Sequence, residues 1–310
     1  MKTGLLLDNQ DYPSDDSYTK LRAMNASCVG MLWTAGTKHR RDVYVRCERE
    51  LQQPLYILRV GGHPQTPAEW LADARAALSE VPDAVLLEDR LVITAGNEPN
   101  IEYSDYGADY GRFYAGLNAA QSSVPILFAC PSLGLDGWSR YLGAALAEAG
   151  KPKWGIVNLY GPNIGRIGDF AGMFNEVYVG EVNSTPDMQG DARCAFLRDA
   201  FTRFDRDRVR AALVFIAGGQ SHGAWNEGYI VSEDEAKGLV YEGVSMSLRD
   251  QFPDLFSQWE AAGGIENNFR SHLLAIGALP PTKADLLMLA DEAKAKLEQM
   301  RLVAQKLPFA

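Results

Sequence analysis

Eight short apolar runs, each followed by a stretch with helical spacing, recur between Thr3 and Ala217, and this alternation restricts the chain to few architectures. The runs are Thr3–Asp8, Ser27–Trp33, Leu55–Val60, Leu91–Gly96, Pro125–Ala129, Gly155–Tyr160, Glu176–Glu181 and Ala211–Ala217. Their length, apolar content and bounding turn residues mark them as buried strands. Strand and helix in alternation build a parallel sheet. Eight such units in about 240 residues are the pattern and usual size of a (β/α)8, or TIM, barrel. An open doubly wound sheet is the rival architecture. It needs a glycine-rich phosphate turn after the first strand, and Asp8-Asn9-Gln10 is not one.

Between the runs, helices are expected over Tyr18–Asn25, through about Leu51, from Thr66, over Ser104–Gln121, Asp136–Ala149, a short piece near Asp169–Phe174, Asp191–Phe204 and Glu233–Leu248. Thr66-Pro67-Ala68-Glu69 has the form of an N-cap, an N1 proline and a capping-box glutamate. Gly150 and Pro152 stand where a helix C-terminus is expected. Past residue 250 the sequence remains helical in pattern, with pieces at Phe252–Ala262 and Asn267–Ile276. A final stretch to Lys306 carries Leu286, Leu289, Ala293, Leu297, Met300 and Val303 at helical spacing. The chain therefore divides into a barrel, 1–250, and a helical extension, 251–310. The extension is expected on the barrel exterior, on a second copy or in a larger assembly, and not over the cleft.

A net charge of −10 argues against a protein that holds nucleic acid by neutralising phosphates. The basic run from Lys38 to Arg49 is interrupted by Asp42 and Glu48, as on a solvated helix face. Cys28, Cys47, Cys130 and Cys194 have no Cys-x-x-Cys spacing and read as free thiols in a reducing compartment. The apolar run near Met1 stops after three leucines, short of a signal-peptide core, and no run approaches a membrane span. A cytoplasmic protein, or one released without a signal peptide, is the expectation, and the N-x-Ser/Thr triplets at Asn25 and Asn183 read as chance.

Two runs end in the same way. Leu91-Val92-Ile93-Thr94-Ala95-Gly96 leads into Asn97-Glu98-Pro99-Asn100, and Glu176-Val177-Tyr178-Val179-Gly180 leads into Glu181. Functional residues of a barrel sit at the C-terminal ends of its strands, so Glu98 on the fourth strand and Glu181 on the seventh would share one opening. Two such carboxyls are what cleavage of a glycosidic bond requires, one as proton donor and one as nucleophile or base. Arg59, near the end of the third strand, would be a costly buried charge unless a carboxylate or a sugar hydroxyl pairs with it. Asn158 and Tyr160 share one face of the sixth strand by its two-residue period. His63 and Trp33 also sit at strand ends and are candidates to line a cleft. Metal chemistry is disfavoured, because His39, His63, His222 and His272 form no His-x-His pair at a strand end.

Gly96-Asn97-Glu98-Pro99-Asn100 and Val179-Gly180-Glu181 resemble the two motifs of clan A of the glycoside hydrolases, retaining (β/α)8 enzymes with an Asn-Glu pair ending strand 4 and a glutamate ending strand 7. The resemblance in strand order covers residues 1 to about 245, while motif identity is confined to these two sites. It implies Glu98 as general acid/base, Glu181 as nucleophile and Asn97 as a partner of the sugar hydroxyl beside the anomeric carbon. It also implies Tyr160 as the residue whose hydroxyl holds the nucleophile. Asn158 departs from the family's histidine. Trp225 is the candidate for the tryptophan that floors the sugar site, although it lies well beyond the eighth run. The implied activity is retaining hydrolysis of an oligo- or polysaccharide without a cofactor. The alternative is a non-catalytic carbohydrate-binding or assembly protein on the same scaffold. The sugar, the linkage and endo or exo action are not encoded legibly; Tyr12, Tyr103, Tyr106 and Trp138 are as consistent with packing as with sugar stacking.

Overall fold

A computed structural model of the chain describes residues 1–7, 13–33, 41–61, 65–102, 107–119, 124–131, 137–218 and 228–241. The chain divides into Met1–Val244 and Ser245–Ala310, and every described residue belongs to the first unit. The expected C-terminal helices lie outside the described residues, as do His63, Trp225, Tyr12, Tyr103 and Tyr106.

Strands β1 (Lys2–Leu6), β2 (Cys28–Trp33), β3 (Leu55–Val60), β4 (Leu91–Ala95), β5 (Ile126–Ala129), β6 (Trp154–Tyr160), β7 (Glu176–Asn183) and β8 (Val209–Val214) pair in parallel in chain order. β1 also pairs with β8, through Lys2 with Ala211 to Leu5 with Val214, so the sheet closes into the expected eight-stranded barrel. A closed sheet has no edge strand and both its faces are covered, which is why its strands read as near-continuous apolar runs. Where β1, β2 and β8 converge, Leu6 and Leu213 fill the interior. A Cβ on Gly30 would lie 2.4 Å from Leu213 Cδ1 and 2.8 Å from Leu6 Cδ1, so a larger residue there would force both leucine side chains to shift.

The outer layer comprises α1 (Asp15–Ala23), α2 (Arg41–Glu50), α3 (Pro67–Leu78), α4 (Asp83–Leu87), α5 (Pro99–Glu102), α6 (Ala108–Ala119), α7 (Trp138–Ala149), a 3-10 turn (Gly161–Arg166), α8 (Ile167–Ala171), α9 (Gly190–Arg206) and α10 (Glu233–Gly238). The capping box that opens α3 forms as its sequence requires: Glu69 N donates to Thr66 Oγ1 (3.3 Å) and Thr66 N donates to Glu69 Oε2 (2.8 Å). α7 ends at Gly150 in the left-handed conformation, φ +71°. Trp138 stacks on Phe170 of α8 at 5.7 Å, which makes it a packing residue of the helical layer.

Several elements depart from the sequence expectation. α5 is an extra turn between β4 and the expected helix, and α10 stops at Gly238 where the sequence pattern predicts a helix to Leu248. α4 is an extra turn before β4, begun after Pro82. Helical backbone after β6 starts at Gly161, well before Asp169. β8 ends at Val214, and the Phe215-Ile216 peptide that follows is cis. β7 continues two residues past Glu181, to Asn183.

At the N-terminal end of the strands a charged cluster binds α2 to the sheet. Arg90, just before β4, donates through Nη1 and Nη2 to the two carboxylate oxygens of Glu48 (2.7 and 2.8 Å), through Nε to Glu88 (2.7 Å) and through Nη1 to the Pro54 carbonyl (3.1 Å). The Tyr56 hydroxyl also donates to Glu48 (2.8 Å). Burial favours protonation of Glu48, but hydrogen bonds from Arg90 and Tyr56 outweigh it and the carboxyl lies below its ordinary value of 4.5. The four cysteines are free and buried, and burial pushes the Cys28 and Cys47 thiols up to about 12, which keeps them unreactive.

Candidate active site

The end of β4 is shaped by Gly96. Its φ of +89° is a conformation that side-chain-bearing residues avoid, and it turns Asn97 and Glu98 out of the strand direction. Thr94 Oγ1 closes this turn on the Gly96 carbonyl (2.6 Å). Tyr110 of α6 pins it from outside, donating to the Ala95 carbonyl (2.7 Å) and accepting from Ala129 N (2.8 Å), so the ends of β4 and β5 are held together. Ile101 N donates to the Glu98 carbonyl (2.9 Å) as α5 begins. Asn97 and Glu98 are half-buried.

Glu181 reaches the barrel interior by a different device. Along β6 and β7 the register runs Val157 with Val179 and then Asn158 with Glu181, so Gly180 has no partner on β6 and forms a bulge. Plain alternation would put Glu181 on the side of Val179. The extra residue re-aims it onto the side of Asn158 and Tyr160. A Cβ at Gly180 would come within 2.9 Å of Ile156 Cδ1 and 3.0 Å of Asn158 Oδ1, so a larger residue would push both side chains aside.

Inside, Arg59 Nη2 donates to Glu181 Oε1 at 2.6 Å and the Tyr160 hydroxyl donates to Glu181 Oε2. Arg59 has found its carboxylate, and both partners are buried. Asn158 Nδ2 donates to Asn97 Oδ1 at 3.0 Å, joining the ends of β6 and β4. Burial first, then the charge and hydrogen bonding of Glu181, then the charge of Glu98 raise the Tyr160 hydroxyl well above its ordinary value, with Arg59 opposing. Both carboxylates therefore act on the same phenol, which remains a neutral donor. Glu98, Glu181, Asn97, Asn158, Tyr160 and Arg59 thus gather at one end of the barrel.

Trp33 does not join them. It sits one residue beyond Leu32, which pairs with Arg59, and Gly30, two residues before Leu32, faces the barrel interior. Alternation therefore turns Trp33 towards the helices, and its ring belongs to the main core.

Three residues at this end escape the sequence reading. Asn183 is fully buried, and its amide donates to the carbonyls of Phe215 and Tyr229 (3.0 Å to the latter) while its Oδ1 accepts from Ser184 N (2.8 Å). The N-x-Ser/Thr triplet at this position is therefore a structural amide inside the protein. Phe215, directly after β8, and Tyr229 pack edge-on against Tyr160, with ring centroids 6.0 and 5.4 Å away. An aromatic near the end of the eighth apolar run was a readable signal for Phe215; nothing in the sequence marks Tyr229. Among the described residues no group of three His, Cys, Asp or Glu side chains converges as metal ligands, and no helix is long and apolar enough to cross a membrane.

No family model matches the sequence, and no curated protein does either. Solved structures do share the fold. A crystal structure of ScGas2 in complex with a compound aligns with a TM-score of 0.53 at 12% identity. Saccharomyces cerevisiae Gas2p in complex with laminaripentaose aligns with a TM-score of 0.51 at 12% identity. In both cases the match covers 76% of this chain and 63% of the other, so this chain spans less than two thirds of the yeast protein. At that identity the likeness shows a common barrel fold.

Proposed function

We propose that the chain is a retaining glycoside hydrolase of the clan A type, acting on an oligo- or polysaccharide. The observation that carries the proposal is Glu181, turned inward by the Gly180 bulge and hydrogen-bonded by both Arg59 and Tyr160, with the charge of Glu98 acting on the same tyrosine hydroxyl. A carboxylate needs such donors to be a nucleophile at an apolar barrel end. The crystallisation of a yeast protein of this fold with laminaripentaose adds support for a saccharide ligand.

In this mechanism Glu181 attacks the anomeric carbon while Glu98 protonates the departing oxygen, giving a glycosyl ester on Glu181. Water then attacks that ester, with Glu98 taking its proton. Asn97, its carbonyl occupied by Asn158, presents amide N–H groups to the hydroxyl beside the anomeric carbon, where contacts strengthen in the transition state. Arg59 and Tyr160 hold the Glu181 carboxylate in place for the attack and stabilise it again as it leaves.

The test is a panel of aryl glycosides, followed by Glu181→Ala with and without azide on the substrate found. Loss of turnover and its return as a glycosyl azide of inverted configuration are expected, because the small anion occupies the place of the lost carboxylate. Full turnover by Glu181→Ala, or no turnover on any glycoside by the unaltered chain, would overturn the proposal.

A further inference from the structure

A strap of four residues, Gly228–Val231, crosses behind the site and is held with unusual completeness. The Tyr229 carbonyl accepts from Asn183 Nδ2 (3.0 Å) and Ile216 N (3.2 Å), and Val231 N donates to the Ile216 carbonyl (3.1 Å). Arg193 of α9, 1% exposed, donates to the carbonyls of Gly228 (2.5 Å), Ile230 (3.0 Å) and Met188 (2.9 Å) and pairs with Glu235 (3.4 Å). Glu235 in turn accepts from Gly190 N (2.6 Å) and Ser232 N (2.8 Å). A buried guanidinium bonded to three backbone carbonyls and one carboxylate fixes a loop in place.

The strap delivers one side chain inward. The Tyr229 ring is buried, stands 5.4 Å from that of Tyr160 at 63°, and stands 6.0 Å from that of Phe215 at 69°. Tyr160 also meets Phe215 edge-on at 79°. Three rings that abut one another edge to face fix one another's tilt, and Tyr160 is the ring whose hydroxyl reaches Glu181.

We infer that Tyr229, clasped by Arg193 and Asn183, is a positioning residue that holds the Tyr160 hydroxyl on Glu181. Among the described residues, the charged and titratable groups bearing on that hydroxyl are Glu181 from β7, Arg59 from β3 and Glu98 from the end of β4. The packing part stands on geometry alone; its kinetic consequence rests on the glycosidase reading above.

Carbon-13 NMR of the full chain labelled at tyrosine Cζ tests it without recourse to activity. The Tyr160 signal is identified by its loss in Tyr160→Phe. Tyr229→Phe keeps the ring and is expected to leave the Tyr160 signal in place. Tyr229→Leu, or Tyr229→Met where the leucine variant is unfolded by circular dichroism, is expected to displace that signal and to lower the pH at which it titrates, as water enters beside the phenol. An unmoved Tyr160 signal in a folded Leu or Met variant overturns the inference. On a substrate, the same variants are expected to lose about tenfold or more in kcat with KM little changed, as misplacement of a reacting group does. A chain with no glycosidase activity that still shows the NMR displacement would sink the catalytic reading and leave the positioning role standing.

Discussion

Arg59 and Glu181, 122 positions apart in the chain, form a buried ion pair at 2.6 Å between the third and seventh strands of the barrel. Two charges withdrawn from water in this way are stable only together, because either one left alone keeps its desolvation cost without its partner.

Removal of Arg59 alone should therefore be more damaging than removal of both. Arg59→Met is expected to cost about 3–5 kcal/mol of unfolding free energy, and Arg59→Met with Glu181→Leu to recover much of that loss. Urea denaturation of both variants and of Glu181→Leu alone decides it. A double variant that loses the sum of what Arg59→Met and Glu181→Leu lose singly would show that the pair carries no coupling.

The Tyr160 hydroxyl and the Arg59 guanidinium donate to different oxygens of Glu181. In Tyr160→Phe the first of these bonds is gone, and kcat/KM should fall. A loss of about 10- to 100-fold at the optimum corresponds to one hydrogen bond to a charged group. Activity equal to that of the unaltered chain would show that the bond contributes nothing to the reaction.

For Glu98 the discriminating variable is the leaving group. Glu98→Ala should lose least on aryl glycosides whose phenols are already weak bases, since proton donation matters little there. A steep dependence of rate on phenol pKa in the variant, absent from the unaltered chain, is the expected signature. The two carboxyls should lie roughly 5–5.5 Å apart when sugar is bound, and an inverted product would instead make Glu181 a general base.

At the other end of the barrel, Glu48 is held below its ordinary value by Arg90 and Tyr56 against the effect of burial. A carboxyl with a depressed folded-state value stabilises the protein above its unfolded-state value and loses that contribution as pH falls through the folded one. Glu48→Gln should cost about 1–3 kcal/mol at neutral pH. The gap between variant and unaltered chain should close as the pH falls from 5 or so through the usual carboxylate range. A gap independent of pH would mean that the lost packing, not the charge, matters.

The strands were legible because burial on both faces leaves an apolar run with turn residues at each end, and Leu55–Val60 coincides with β3 residue for residue. The pairing of Glu98 with Glu181 in one opening was legible from topology, since all eight strands of such a barrel end on the same side. What could not be read was direction. Parity along Glu176–Glu181 puts Glu181 with Val179, and only the unpaired Gly180 reverses that. A glycine before a strand-end glutamate is visible as a letter, but its cause is a contact with Ile156 and Asn158 from a neighbouring strand. Asn183 and Tyr229 were silent for the same reason: their partners are backbone carbonyls and rings brought together by closure of the barrel.

The Arg90 cluster and the Arg59 pair mark opposite ends of the same eight strands, one tying helix α2 to the sheet and the other holding the Glu181 carboxylate. For protein engineering this gives two separate handles. Substitutions around Glu48, Glu88 and Pro54 can be used to harden the scaffold against heat or acid without altering which molecule it accepts. Loops following β4, β7 and β8 can be exchanged to alter that choice while the foundation stays as it is.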